Sequence, residues 1–258
     1  MTEKRRVLIT GAMGRIGRAL TTGLAETYTL RLHDLKPDMA PDGFDFAAAD
    51  ITSFEAVRPM MEGIDTVVHL AGNPSVEADW ESILNANIIG TRNILEAARK
   101  AGVRRVVFAS SNHAMGIYDR DGEWPVYHTM PVRPDSLYGA SKAMGEVLGR
   151  HYHDAFELDF IALRIGWYAD EPSKAKDQPV LRAMWLGPND TINIVRGAIE
   201  TETTFGIYYA VSNNPDRRWD ITNTMIELGY RPVDRWDEAT GLDEDHAPGS
   251  PMPREEWP

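Results

Sequence analysis

A chain of 258 residues, 43% hydrophobic and 26% charged, is long enough to bury a core of its own in one ordinary soluble domain. Its net charge of −12 argues against nucleic acid or an anionic membrane as a partner, and the absence of cysteine excludes disulfides and thiolate metal sites. No apolar run approaches the ~18 residues that span a bilayer, and residues 1–6 lead into a strand without the apolar core of a signal peptide, so a cytoplasmic location is expected.

In chain order, apolar runs alternate with amphipathic ones. Strands are expected over 6–10, 30–34, 46–48, 66–70, 105–109, 159–164 and 206–210. Helices are expected over 15–26, 53–61, 80–101, 136–153, 191–201 and 220–228. This alternation predicts an α/β fold, a Rossmann-like doubly wound parallel sheet with a small C-terminal substrate-binding region. One domain should cover 1–236, its substrate side mainly in 165–205, with an acidic, flexible tail over 237–258.

The first strand runs into Gly11-Ala-Met-Gly14-Arg-Ile-Gly17, which opens a helix. Glycines so placed let backbone N–H groups approach a pyrophosphate at a helix N-terminus, so a dinucleotide is expected. Asp34 closes the second strand, where a carboxylate can accept from the adenosine ribose and repel a 2′-phosphate. NAD is therefore favoured over NADP, with Arg31 and Lys36 the nearby cations.

Further on, Ser136-Leu-Tyr138-Gly-Ala-Ser-Lys142 opens a helix with a tyrosine and a lysine on one face. An ammonium beside a phenol favours the phenolate, which would suit Tyr138 to general-base work. Three segments beyond the strand ends converge on the same region, and their polar residues Ser75, Ser111, Asn112 and His113 could meet a hydroxylated substrate. Trp167, Tyr168 and Trp185 are candidate pocket walls, with Trp185 better suited to the core. Met60, Met61 and Met144 are read as core, and His69 as a hydrogen-bonded structural residue. His151 and His153 diverge on a helix, so no metal site is expected.

Taken together, Thr10-Gly-Ala-Met-Gly-Arg-Ile-Gly17, Asp50-Ile51, Val67-Val-His-Leu-Ala-Gly72, Asn87-Ile-Ile-Gly-Thr91, Val106-Val-Phe-Ala-Ser-Ser-Asn112 and Tyr138-Gly-Ala-Ser-Lys142 resemble the extended short-chain dehydrogenase/reductase superfamily over about 6–230. The resemblance implies that Tyr138 is the acid/base, that Lys142 lowers its pKa and binds the nicotinamide ribose, and that Ser111 hydrogen-bonds the reacting oxygen. It implies cofactor contacts from Gly11, Met13, Gly14, Arg15, Ile16, Gly17, Asp34, Asp50, Ile51, Leu70, Ala71, Gly72 and Asn87, besides Tyr138 and Lys142.

The segments Ser110-Ser-Asn-His113, Ser75-Val-Glu77 and Ala183-Met-Trp-Leu186 resemble, more narrowly, the uronate dehydrogenases and related NAD-dependent sugar 1-dehydrogenases. That implies oxidation of an anomeric carbon to a lactone, with Ser75, Ser111, Asn112 and His113 on the sugar. The chain departs from those enzymes at Trp167, where they carry serine, and at Val180, where they carry the arginine that pairs with the substrate carboxylate. Arg182, Lys174 or Lys176 would have to replace it, so a hexuronate, a neutral aldose and a sugar phosphate all stay open. An epimerase or dehydratase retaining NAD and a non-catalytic NAD-sensing module are the alternatives, and a homo-oligomer is expected.

Overall fold

The computed structural model describes residues 4–175 and 178–241. β1 (Arg6–Thr10) leads into α1 (Arg15–Leu24), β2 (Thr29–Asp34) and β3 (Asp45–Ala48). The one-turn α2 (Phe54–Val57) and a 3₁₀ turn (Arg58–Met61) precede β4 (Thr66–His69). A long helical run follows, made of α3 (Trp80–Ser82), a π segment (Ile83–Ile89) and α4 (Gly90–Ala101). β5 (Arg105–Ser111), α5 (Gly116–Arg120), α6 (Leu137–Phe156) and β6 (Asp159–Ile165) complete the centre. Then come β7 (Trp167–Tyr168), α7 (Pro179–Ala183), β8 (Trp185–Leu186), α8 (Pro188–Glu200), β9 (Phe205–Ala210), α9 (Thr222–Glu227) and α10 (Trp236–Thr240).

All seven expected strands lie in one parallel sheet, in the order β3-β2-β1-β4-β5-β6-β9. The period of two along β1 divides the core: Val7 and Ile9 cluster with Leu20 of α1 and Ile194 of α8, while Leu8 clusters with Val57 of α2 and Leu95 of α4. Both faces of the strand are thus dry, as a doubly wound sheet requires.

Element boundaries moved for identifiable reasons. The helix expected over 53–61 leaves the α form after Val57, because Pro59 has no N–H for the next hydrogen bond. α8 starts at Pro188, ahead of the expected 191, because proline is preorganised for the first helical turn. β7 and β8 form a separate parallel pair, each too short for alternation to reveal it. Met60 and Met61 are buried as expected, but Met144 is not core: it lies on the outer face of α6 with Leu137 and Val147. The inner face belongs to Gly145 and Gly149, where any Cβ would meet the Phe108 and Phe160 rings.

The stretch read as tail begins with α10 instead, anchored by Trp236 against Trp185 and Ala169. Residues 242–258 lie outside the described residues. No helix among the described residues is long and apolar enough to cross a membrane.

Candidate active site

The connections of β1 and β4 leave the sheet in opposite directions, and a cavity of about 870 Å³ opens at their carboxyl ends. Its lining includes Gly11, Met13, Gly14, Arg15, Ile16 and Gly17 from the β1–α1 turn. Gly11 has φ +68°, and a Cβ there would meet the Ala71 backbone N at 2.9 Å. A Cβ on Gly17 would lie 2.5 Å from the carbonyl oxygens of Gly11 and Ala12, so only glycine lets α1 pack this closely on the turn. The result is a cradle at a helix N-terminus whose closest approaches are made by glycine, which fits a dinucleotide pyrophosphate.

Asp34, Asp50, Ile51, Leu70, Ala71 and Gly72 also line the cavity. Asp34 accepts from the backbone N–H of Met13 at 2.9 Å and of Leu35 at 2.8 Å, and each carboxylate oxygen keeps a lone pair for a ribose hydroxyl. His33 and Thr52, which the sequence reading passed over, join them.

Ser111, His113, Tyr138, Lys142 and Trp167 come together at the same cavity. Ser136 caps α6 by accepting from the Gly139 N–H at 3.0 Å, which sets the first turn that carries Tyr138. Burial pushes the Tyr138 phenol above its ordinary value; a hydrogen bond with Ser111 opposes this and the Asp135 carboxylate adds to it. The expected phenolate stabilisation by Lys142 is therefore not what the protein alone provides. The ammonium lies over the face of the ring, 5.5 Å from its centroid, and burial pushes Lys142 itself down to about 8. His69, held by Thr10 at 2.8 Å and Thr91 at 3.2 Å, is pushed down to about 3 by burial and by Lys142, and is a neutral structural residue.

Four expected contacts do not reach the cavity lining. Asn87, carried by the wide π turn, accepts from the Asn73 N–H at 2.7 Å and donates to the Asn73 carbonyl and the Ser141 hydroxyl, each at 3.0 Å. It clips the loop after β4 to α6. Ser75 is an exposed turn residue that accepts from the Glu77 N–H. Asn112 is buried and donates to the Met184 sulfur at 2.9 Å. Arg182 is 8% exposed, paired with Asp216 and stacked over Trp236, so its charge already has a partner. Lys176 and the Lys174 side chain lie outside the described residues. Trp185 is core, donating to the Ala169 carbonyl, whereas Tyr168 joins Trp167 at the cavity.

Two supports escaped the sequence reading. Asp135 holds the His113 ring at 2.7 Å. Glu146 accepts from Ser110 at 2.6 Å and from Arg164 at 2.9 and 2.8 Å, all fully buried, tying α6 to the strand end that carries Ser111. The spacing Tyr138, Lys142, Glu146 puts all three on one helix face and could have exposed the second.

Residues 7–172 match the NAD dependent epimerase/dehydratase family. The NAD-dependent glucose-6-phosphate dehydrogenase of Haloferax volcanii is 38% identical, over 91% of this chain and 95% of the relative. The L-arabinose 1-dehydrogenase (NAD(P)(+)) of the same organism is also 38% identical, over 89% and 96%. The crystal structure of uronate dehydrogenase from Agrobacterium tumefaciens superposes with a TM-score of 0.83 at 34% identity, covering 95% of this chain and 92% of that one. With this cradle, this sheet order and these likenesses, the chain belongs to the NAD dependent epimerase/dehydratase family.

Proposed function

We propose that the protein is an NAD-dependent dehydrogenase that oxidises the anomeric carbon of a free sugar to a lactone. The observation that carries this is the convergence of Ser111, Tyr138 and Lys142 on one cavity with the glycine cradle, the Lys142 ammonium lying over the phenol ring. Gly11, Gly14 and Gly17 would hold the pyrophosphate, Asp34 the adenosine ribose, and Lys142 the nicotinamide ribose. When bound, NAD would supply the hydride acceptor and, in its oxidised form, a positive charge. In its ionised form Tyr138 would take the proton of the anomeric hydroxyl as the C1 hydride leaves. Ser111 donates to the same oxygen and holds the carbon in line for transfer. Trp167, Tyr168 and His113 bound the space left for the sugar.

The three relatives act, by name, on a sugar phosphate, a neutral pentose and a uronate. Because Asp216 already neutralises Arg182, we place neutral aldoses ahead of hexuronates. A panel of neutral aldoses, hexuronates and sugar phosphates, followed by NADH absorbance, tests the assignment. NADH should accumulate with one class. No NADH with any of them, from protein that copurifies with NAD, would overturn it in favour of an epimerase.

We also propose a homo-oligomer, since Leu137, Met144 and Val147 leave an apolar stripe exposed on α6, and a cytoplasmic location, which the cysteine-free composition supports. A monomer by light scattering, or recovery outside the cytoplasmic fraction, would remove the corresponding half of that proposal.

A further inference from the structure

We infer that Asp135 is a positioning residue that fixes the tautomer of His113, leaving the second ring nitrogen as a hydrogen-bond acceptor facing the substrate. The identity of that substrate rests on the sugar dehydrogenase reading; the tautomer does not.

The Asp135 side chain is 2% exposed, and its Oδ2 lies 2.7 Å from His113 Nδ1. Its other oxygen accepts from the Ser136 hydroxyl at 2.9 Å. A carboxylate only accepts, so the ring nitrogen facing it carries the hydrogen. A neutral imidazole has one N–H, so Nε2 is left with its lone pair.

The arrangement is built into the backbone around it. A Cβ on Gly116 would collide with Asp135 Oδ2, and a Cβ on Gly139 would collide with the His113 carbonyl oxygen. The two glycines thus open the slot in which carboxylate and ring meet. The Asp135 N–H donates to the His113 carbonyl at 3.3 Å, and the Arg133 N–H to that of Ala114 at 3.1 Å. Ring and carboxylate therefore ride on two segments zipped together, which fixes the distance between the two backbones that carry them.

His113 lines the cavity and stands edge-on to Tyr138, with ring centroids 5.8 Å apart. Beside it Ser111 and Tyr138 line the same cavity, and in turnover their hydroxyls would meet the reacting oxygen. A sugar brings further hydroxyls that need acceptors, and the bare Nε2 supplies one of fixed direction.

Asp135→Asn tests this, because the amide keeps the shape but its NH₂ can donate to Nδ1 and so move the ring hydrogen to Nε2. The account predicts a loss of about 10-fold or more in sugar kcat/KM with NAD affinity unchanged. In a His113→Gln background the same change should cost nothing further. Equal losses in both backgrounds would make Asp135 merely structural and overturn the inference.

A readout independent of folding in the variant is the ¹⁵N spectrum of the wild-type imidazole, assigned by its disappearance in His113→Gln and read where the ring is neutral. A protonated Nδ1 with a bare Nε2 supports the inference, and the opposite tautomer refutes it. If no sugar gives NADH, the dehydrogenase reading falls while the spectrum still decides the tautomer.

Discussion

The two ends of the cavity are built from different materials. At the cofactor end, the turn between β1 and α1 acts by lacking side chains: Gly11 and Gly17 admit what a Cβ would exclude, and the helix N-terminus supplies the field. At the chemical end, every group is a side chain aimed by another side chain. Ser111 meets Tyr138, Asp135 holds His113, and Glu146 with Arg164 locks the strand end to α6. A backbone cradle is specified within a few consecutive residues, whereas an aimed side chain needs a partner that the fold must bring from elsewhere.

If the two ends are separable, Tyr138→Phe should cut kcat by about 10²–10⁴ while calorimetry finds NAD affinity nearly unchanged. A comparable loss of NAD binding would break the division.

Glu146→Ala should be next in size. It strands the Arg164 guanidinium in the core, so chemical denaturation should show about 3–5 kcal/mol lost. The double change Glu146→Leu with Arg164→Met should restore most of that stability, since an apolar pair has no desolvation cost. Its kcat should stay low with KM for NAD unchanged, because Ser110 loses its acceptor and α6 its register.

Asp34→Ala acts at the other end. It should narrow the kcat/KM preference for NAD over NADP by about 10-fold, through loss of a ribose acceptor and of repulsion toward a 2′-phosphate. A ratio of the two cofactors that does not move would take Asp34 out of the cofactor site.

The last effect crosses the division and is read as a change of Tm with pH. Burial holds Lys142 at about 8, below its value in the unfolded chain, so the unfolded state binds more protons between those two values. The lysine therefore costs stability below about pH 8, and that cost fades as pH rises toward the ordinary lysine range. Lys142→Met should raise Tm at neutral pH, with the gain shrinking above pH 8, while turnover is lost. A Tm gain independent of pH would contradict this.

The sheet, the glycine cradle and the Tyr138–Lys142 pair were readable because each depends on a local pattern: alternation for the strands, spacing for Gly11, Gly14 and Gly17, and i, i+4 for Tyr138 and Lys142. Residues that act through distant partners were not. Nothing near Arg182 in the chain announces Asp216, and nothing near His113 distinguishes Asp135 from an ordinary residue ahead of a helix cap. Asn87, expected on the cofactor, instead joins the loop after β4 to α6, because the π turn that carries it leaves no trace in an apolar periodicity. The sign of the Tyr138 shift was missed for a related reason: it is set first by burial, which sequence spacing does not report, and the ammonium lies over the ring face instead of at the hydroxyl.

The central claim is a net transfer of hydride from the anomeric carbon, and isotopic labelling tests it most directly. An aldose deuterated at C1, chosen from whichever class turns over, should deliver its deuterium to the reduced cofactor, with one lactone formed per NADH released. Deuterium retained in the sugar, with an isomerised or dehydrated product and no net reduced cofactor, would contradict the account.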